Sequence, residues 1–252
     1  MLHIVIPMAG AGSRFAAAGY PDPKPLIPVH GTPMIQLVVD NLRPAMPHRF
    51  VFICQRAHVR AYGLVEKLAR WAPGCVVHEL DGVTEGAACT VLSVRDLVDT
   101  DQPLMIANSD QWVDVAIDDY LGDLARPGVD GLIMTMTADD PKWSFVGFGP
   151  DGRVERVVEK QVISNEATVG VYNFARGSDF VRAADRMIAR DLRVNGEFYV
   201  APVYNQLLEE GAHVVVRNVG RAGAGMHGLG TPADLEAFLT HPVSRQRAGV
   251  RS

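Results

Sequence analysis

Gly10 and Gly12, followed by Arg14 and ten residues later by Lys24, are the part of this sequence best equipped for chemistry. The apolar run Ile4-Val5-Ile6-Pro7-Met8-Ala9 leads into Gly10-Ala11-Gly12-Ser13-Arg14-Phe15. A strand therefore delivers a loop whose backbone N–H groups can approach phosphate oxygens with no Cβ in the way. Arg14 and Lys24 add fixed positive charge, and the set reads as a triphosphate clamp. A structural glycine turn is the plain alternative, and on the loop alone the two stand level. A dinucleotide fingerprint would need a third glycine where Phe15 stands, and no Gly-x-x-x-x-Gly-Lys-Ser/Thr occurs. Lys24 shifts the balance, because the two prolines of Pro23-Lys24-Pro25 limit the backbone and aim one ammonium from an extended segment.

Asp110 is the next candidate. It follows the apolar run 104–107 in Asn108-Ser109-Asp110-Gln111. A carboxylate there suits Mg²⁺, which keeps several waters and takes one or two carboxylates plus substrate phosphates. An aspartate capping a loop is the competing reading. In Asp81-Gly82-Val83-Thr84-Glu85-Gly86-Ala87-Ala88, small side chains open a helix, so a flat base can reach the backbone and free N–H donors. Ordinary helix–sheet packing would use the same Gly86, Ala87 and Ala88. Taken alone, Glu159-Lys160 is a solvated strand edge and Trp143 equally a core residue. Glu197 stands level between an acceptor contact and a helix-start charge. No His-Glu-x-x-His and no Gly-x-Ser-x-Gly is present, so hydrolase readings have no support.

These residues need a scaffold, and the hydropathy pattern supplies one. Short β-rich runs at 2–6, 50–54, 75–80 and 104–107 alternate with amphipathic stretches at 33–42, 58–71 and 85–98. That order predicts a parallel sheet with crossover helices. Such sheets bind ligands beyond the carboxyl ends of their strands, where the Gly10 loop and Asp110 both fall, so the two motifs should meet. Beyond the run 131–137, strands at 145–148 and 154–158 around Gly149-Pro150-Asp151-Gly152 read as a hairpin. A strand at 169–174, helices at 178–190 and 199–210, a strand at 213–219 and a helix opened by Thr231-Pro232 follow. The expected organisation is one domain over 1–240 with a frayed tail over 241–252.

The 252 residues are 48% apolar with a formal net charge of −5, enough for a substantial core and no general attraction to nucleic acid or anionic membrane. Three widely spaced cysteines, Cys54, Cys75 and Cys89, suggest reduced buried thiols. With no leader-like start and no bilayer-length apolar run, the expectation is a cytoplasmic protein.

Ala9-Gly10-Ala11-Gly12-Ser13-Arg14 together with Pro23-Lys24-Pro25-Leu26-Ile27-Pro28-Val29-His30-Gly31-Thr32-Pro33-Met34 resembles the N-terminal pattern of nucleotidyltransferases that activate sugar phosphates and related phosphorylated compounds. The resemblance covers nearly the whole chain. It implies an α/β, Rossmann-like nucleotidyltransferase fold: a mostly parallel central sheet, helices on both faces and a small β-hairpin acceptor subregion. It implies nucleotide contacts from Met8, Ala9, Gly10, Ala11, Gly12, Ser13, Arg14, Lys24, Thr84, Glu85, Gly86 and Asn108. Catalysis would fall to Arg14, Lys24 and Asp110, with Mg²⁺ as cofactor on Asp110. Acceptor contacts would come from Lys142, Trp143, Gly147, Glu159, Lys160 and Glu197. The partners implied are a nucleoside triphosphate and a phosphorylated small-molecule acceptor, in a chain that could form a homodimer. Pro7 ahead of the loop looks more like the cytidylyltransferase version, which favours CTP. Asn195-Gly196-Glu197-Phe198-Tyr199-Val200-Ala201-Pro202 resembles a segment of a capsule-polysaccharide branch. His227-Gly228-Leu229-Gly230-Thr231-Pro232 departs from the pattern, because Gly228 stands where hexose-1-phosphate enzymes often carry a second metal-binding aspartate. A glycosyltransferase is the first competitor and is disfavoured by the lack of Asp-x-Asp; a non-catalytic nucleotide-binding subunit is the second.

Overall fold

The structure, a computed structural model, describes residues 1–10 and 12–247, with the side chains of 246 and 247 outside that description. The sheet is built on β1 (Leu2–Pro7), whose Leu2, Ile4 and Ile6 enter one apolar cluster while Val5 enters another. This two-sided burial is the mark of a sheet covered on both faces. The parallel half is β5 (Val76–Leu80), β4 (His48–Gln55), β1 and β6 (Leu104–Ala107), in that order. The path continues through β11 (Glu166–Phe174), β8 (Gly131–Thr137), β12 (Val214–Ala222), β13 (Gly225–Gly228) and β7 (Gln111–Val113). β11 runs antiparallel to both β6 and β8, whereas β12 is parallel to β8. β9 (Ser144–Phe148) and β10 (Val154–Glu159) form the anticipated hairpin and join at β11, and β2 (Pro28–Val29) pairs with β3 (Thr32–Pro33) in a separate two-stranded sheet.

Helices Met34–Leu42, Leu64–Trp71 and Ile117–Leu124 contribute to the first cluster. Helices Ala87–Leu92, Gly177–Ala189 and Tyr204–Leu208 contribute to the second. A third cluster of Phe15, Val29, Leu37, Trp112, Leu229 and Phe238 gathers the glycine loop, the Pro-Lys-Pro segment and the returning C-terminal chain.

Several boundaries depart from the pattern. The single helix expected over 58–71 is two, Arg56–Tyr62 and Leu64–Trp71, because Gly63 takes φ 57 between them. The stretch 85–98 becomes Ala87–Leu92 and Arg95–Val98, and 199–210 starts with a 3-10 turn at Ala201–Val203. Helix Pro242–Arg247 replaces the start of the expected frayed tail. Ser244 is fully buried there and lies 2.8 Å from His30 Nε2, so packing rather than composition decides this segment. Residues 248–252 of that expected tail lie outside the described residues.

Candidate active site

Lys24 sits on a 3-10 turn, Lys24–Leu26, rather than on the extended segment its prolines suggested. Leu26 N–H donates to Pro23 carbonyl at 2.8 Å, and Pro25 occupies an early helical position that needs no N–H donor. Pro25, Leu26 and Ile27 are buried, which fixes the root of the lysine. The glycine loop backs onto it: Gly12, at φ 61, opens helix Ser13–Ala17, and a Cβ there would stand 3.7 Å from Lys24 Cβ. At Gly10 a Cβ would meet nothing within 4 Å. The loop's entry is held by Met8 N–H to Ile53 carbonyl, 2.8 Å, and by Gln55 Nε2 to Ala9 carbonyl, 2.6 Å. Met8 itself is buried; Ser13 and Arg14 are exposed. The Arg14 guanidinium has no hydrogen bond or ion pair among the described residues, and the expected contact at Ala11 falls outside them.

Lys24 Nζ meets Asp110 Oδ2 at 2.8 Å, so the two motifs converge as the sheet topology requires. Asp110 lies between β6 and β7, and its carbonyl accepts from Leu229 N–H at 2.7 Å. β13 pairs with β7 through Gly228 and Gln111, which brings Gly228-Leu229-Gly230 across the aspartate. A Cβ on Gly230 would fall 2.7 Å from Asp110 Oδ2. A Cβ on Gly228 would instead face Asp234 Cγ at 3.6 Å, and Asp234 Oδ2 already accepts from Thr231 Oγ1 at 2.6 Å. Among the described residues no group of three or more His, Cys, Asp or Glu could hold a metal ion. Asp110 alone still fits Mg²⁺, since one carboxylate, waters and ligand phosphates satisfy that cation.

Two neighbouring cavities share Asn108 and Ala87 as lining residues. One, of about 390 Å³, is lined by Gly10, Val83, Thr84, Gly86 and Glu197. Thr84 Oγ1 lies 2.6 Å from Thr90 Oγ1 and donates to Gly86 carbonyl at 2.9 Å, which fixes the turn. The free helix N-terminus expected here is in use: Ala88 N–H donates to Phe198 carbonyl at 3.0 Å, and Phe198 N–H donates to Glu85 carbonyl at 2.8 Å. Gly86 has φ 127, and a Cβ there would lie 2.5 Å from Phe198 carbonyl oxygen, so only glycine permits this splice. Glu85 turns outward to Arg193 Nη2 at 2.5 Å. Glu197 thus lines the cavity of the glycine loop rather than the one walled by Trp143 and Glu159.

The other cavity, of about 290 Å³, is lined by Trp143, Ser144, Glu159, Thr168, Tyr172 and Tyr199, with Lys142 also on its wall. Glu159 accepts from Ser144 Oγ, and burial pushes its carboxyl above the ordinary value against that bond. Thr168 Oγ1 lies 2.9 Å from Tyr172 hydroxyl, and burial likewise raises the phenol. Lys142 Nζ pairs with Asp140 Oδ2 at 3.1 Å and lies 5.2 Å from the Trp143 ring centre. Gly147 is packed away from the lining: a Cβ there would meet Ile163 Cδ1 at 2.9 Å. Lys160 takes φ 57, costly for a residue with a Cβ by about 1 to 3 kcal/mol, and its N–H donates to Trp143 carbonyl at 3.0 Å. Its Nζ donates to Tyr199 hydroxyl at 2.7 Å, and that bond raises the lysine above its usual range.

Thr168, Tyr172 and Tyr199 were not anticipated. Thr168 and Tyr172 flank Gly170 at φ 80, where β11 shifts register, so a glycine inside a strand run was the available signal. The bulge lets Asn108 N–H donate to Gly170 carbonyl at 2.9 Å, and a Cβ on Gly170 would collide with the Asn108 amide.

A sequence profile of the nucleotidyl transferase family matches residues 4–193, well over half the chain. The chain belongs to the nucleotidyl transferase family. The bifunctional protein GlmU of Burkholderia orbicola (strain MC0-3) is 28% identical over 224 residues, covering 85% of this chain and 46% of that protein. GlmU of Burkholderia mallei (strain SAVP1) is 26% identical over 237 residues, again covering 85% and 46%. The chain thus spans less than half the length of these relatives. The crystal structure of a nucleoside-diphosphate-sugar pyrophosphorylase from Vibrio cholerae RC9 superimposes with TM-score 0.78 at 27% identity, over 94% of this chain and 99% of that one. A candidate glucose-1-phosphate thymidylyltransferase from Bacillus anthracis, in complex with a sucrose, shares the fold with TM-score 0.75 at 18% identity, over 100% of this nucleotidyltransferase-family chain and 96% of its own. Among the described residues no helix is long and apolar enough to cross a membrane.

Proposed function

We propose that this chain transfers a nucleoside monophosphate from a nucleoside triphosphate to a phosphorylated acceptor of the sugar-phosphate class. The observation that carries the reading is the contact between Lys24 and Asp110, two residues from Asn108, which walls both cavities. An acceptor phosphate oxygen attacks the α-phosphorus in line, the bond from that phosphorus to the bridging oxygen breaks, and pyrophosphate leaves. No protein base is needed, because the attacking phosphate is already anionic. Arg14 and Lys24 neutralise the triphosphate, Thr84, Gly86 and the glycine loop seat the nucleoside, and Lys160 orients the acceptor phosphate. Asp110 would hold Mg²⁺, whose charge would offset that of the phosphate oxygens. Glu159, Trp143 and Thr168 offer the acceptor a carboxylate, an aromatic face and a hydroxyl. The similarity to a sugar pyrophosphorylase supports the acceptor class.

Within this reading CTP is the preferred donor, on the strength of Pro7 and the Ala9-Gly10-Ala11-Gly12 spacing, and the acceptor is a phosphorylated building block of a capsular or other surface polysaccharide. Pyrophosphate release across four triphosphates and a panel of phosphorylated sugars, polyols and amino-acid derivatives tests both. Release with CTP at least about tenfold above the others supports the donor, since mispaired buried polar groups discriminate bases. Faster release with GTP, UTP or dTTP for every acceptor rejects CTP, and release with none rejects the transferase.

A further inference from the structure

Lys160 is held in an unusual way. Its ammonium is bound by a phenol: Nζ donates to Tyr199 hydroxyl at 2.7 Å and lies 4.7 Å from the centre of the same ring. No carboxylate forms an ion pair with it among the described residues, although Glu159 and Glu197 act on it through space. The distinction matters for an amine that must meet a phosphate. A carboxylate partner would cancel the charge, whereas a phenol fixes the direction and leaves the charge available. The phenolic oxygen accepts from Nζ and keeps its own hydrogen to donate to the same anion. The lysine's backbone, in the left-handed region and tied to Trp143, sets where the side chain starts; Tyr199 sets where it ends.

Tyr199 is itself anchored on the other side of the site. Its neighbour Phe198 exchanges two backbone hydrogen bonds with the Glu85–Ala88 turn, and the Arg193 guanidinium covers the Phe198 ring at 4.2 Å. The phenol therefore stands on a segment spliced to the turn that lines the neighbouring cavity. We propose that Tyr199 is a positioning residue that aims the Lys160 ammonium at the acceptor's phosphate and fixes it relative to the nucleotide turn. This rests on the reading of Lys160 as the acceptor-phosphate contact given above.

The test uses the whole chain, inorganic phosphate as probe and competitive acetylation read by mass spectrometry. Lys67, on helix Leu64–Trp71, is the internal reference. In the wild type, phosphate protects Lys160 and not Lys67. In Tyr199→Phe, which keeps the ring and removes the hydroxyl, the half-protecting phosphate concentration rises at least about fivefold, the effect of one lost hydrogen bond to a charged group. Calorimetric binding of CTP, or of the donor found in the triphosphate screen, stays unchanged. Equal protection in the two proteins overturns the role of Tyr199 while leaving that of Lys160. Weakened protection with equally weakened donor binding also overturns it, in favour of a structural role. If phosphate leaves wild-type Lys160 unprotected, the reading of Lys160 itself falls and the proposal with it.

Discussion

Lys24 Nζ and Asp110 Oδ2 stand 2.8 Å apart, so the candidate cation ligand is already neutralised by an ammonium from the same chain. Each side chain is about a quarter exposed, which leaves the pair open to a competing ligand. Under the proposed function, a triphosphate and a divalent cation would offer each partner a like-for-like exchange. The lysine would trade a carboxylate for phosphate oxygens, and the aspartate would be freed to hold Mg²⁺.

Lys24→Ala and Arg14→Ala should each lower turnover by about a hundredfold or more with the fold retained, because both charges would act on charge that grows during transfer. Circular dichroism and pyrophosphate release check this together. Near-normal turnover in either folded variant removes the clamp.

Asp110→Asn keeps the shape and loses the charge. Activity and the response to added Mg²⁺ should disappear together in a magnesium titration of pyrophosphate release. A variant that still responds to magnesium as the wild type does would count against Asp110 as the ligand.

Gly230→Ala tests the same point from the other side, since the new methyl would press on Asp110 Oδ2 at 2.7 Å. The expected outcome is an unaltered melting temperature to within a few degrees and a several-fold higher magnesium concentration at half-maximal rate. An unchanged magnesium curve would show that the carboxylate is not held against this backbone.

Gly86→Ala should destabilise by about 2 to 4 kcal/mol, read from denaturant unfolding. The alanine would have to adopt φ 127 and displace the Phe198 backbone. Stability equal to the wild type would mean that the splice between 85–88 and 198 is dispensable.

Glu159 gives a pH dependence of known sign. Burial raises its folded-state pKa, so the folded protein holds that proton more tightly than the unfolded chain. Its favourable contribution is complete below the ordinary carboxylate value of 4.5 and is lost as pH rises through the higher folded value. The stability difference between wild type and Glu159→Gln should therefore fall with rising pH across that interval. A difference independent of pH would exclude a buried, titrating Glu159.

The parallel half of the sheet was legible because runs such as 50–54 are apolar on both faces, a local property. β7 and β13 were not, because Gln111–Val113 and Gly225–Gly228 are short, lack alternation and are defined by their partners, Gly225–Gly228 lying between β12 and β7. At the candidate site, the meeting of the two motifs was legible from strand ends, whereas the 3-10 turn under Lys24 was not. Nor was Tyr199: Asn195-Gly196 announces a turn, and both residues take positive φ, but nothing local announces that this turn returns the chain to Glu85. Glu197 was assigned by resemblance to the acceptor side; the same turn swings it to the glycine-loop cavity.

The third apolar cluster has a kinetic meaning. Phe15 and Val29 are packed with Trp112, Leu229 and Phe238, so the walls behind Lys24 and Asp110 are recruited from both extremes of the described chain. Closing such a span costs more chain entropy than any pairing within the parallel half, whose strands lie within residues 2–107. During synthesis the glycine loop would emerge early and wait, without its backing, until the segment carrying Phe238 had been made.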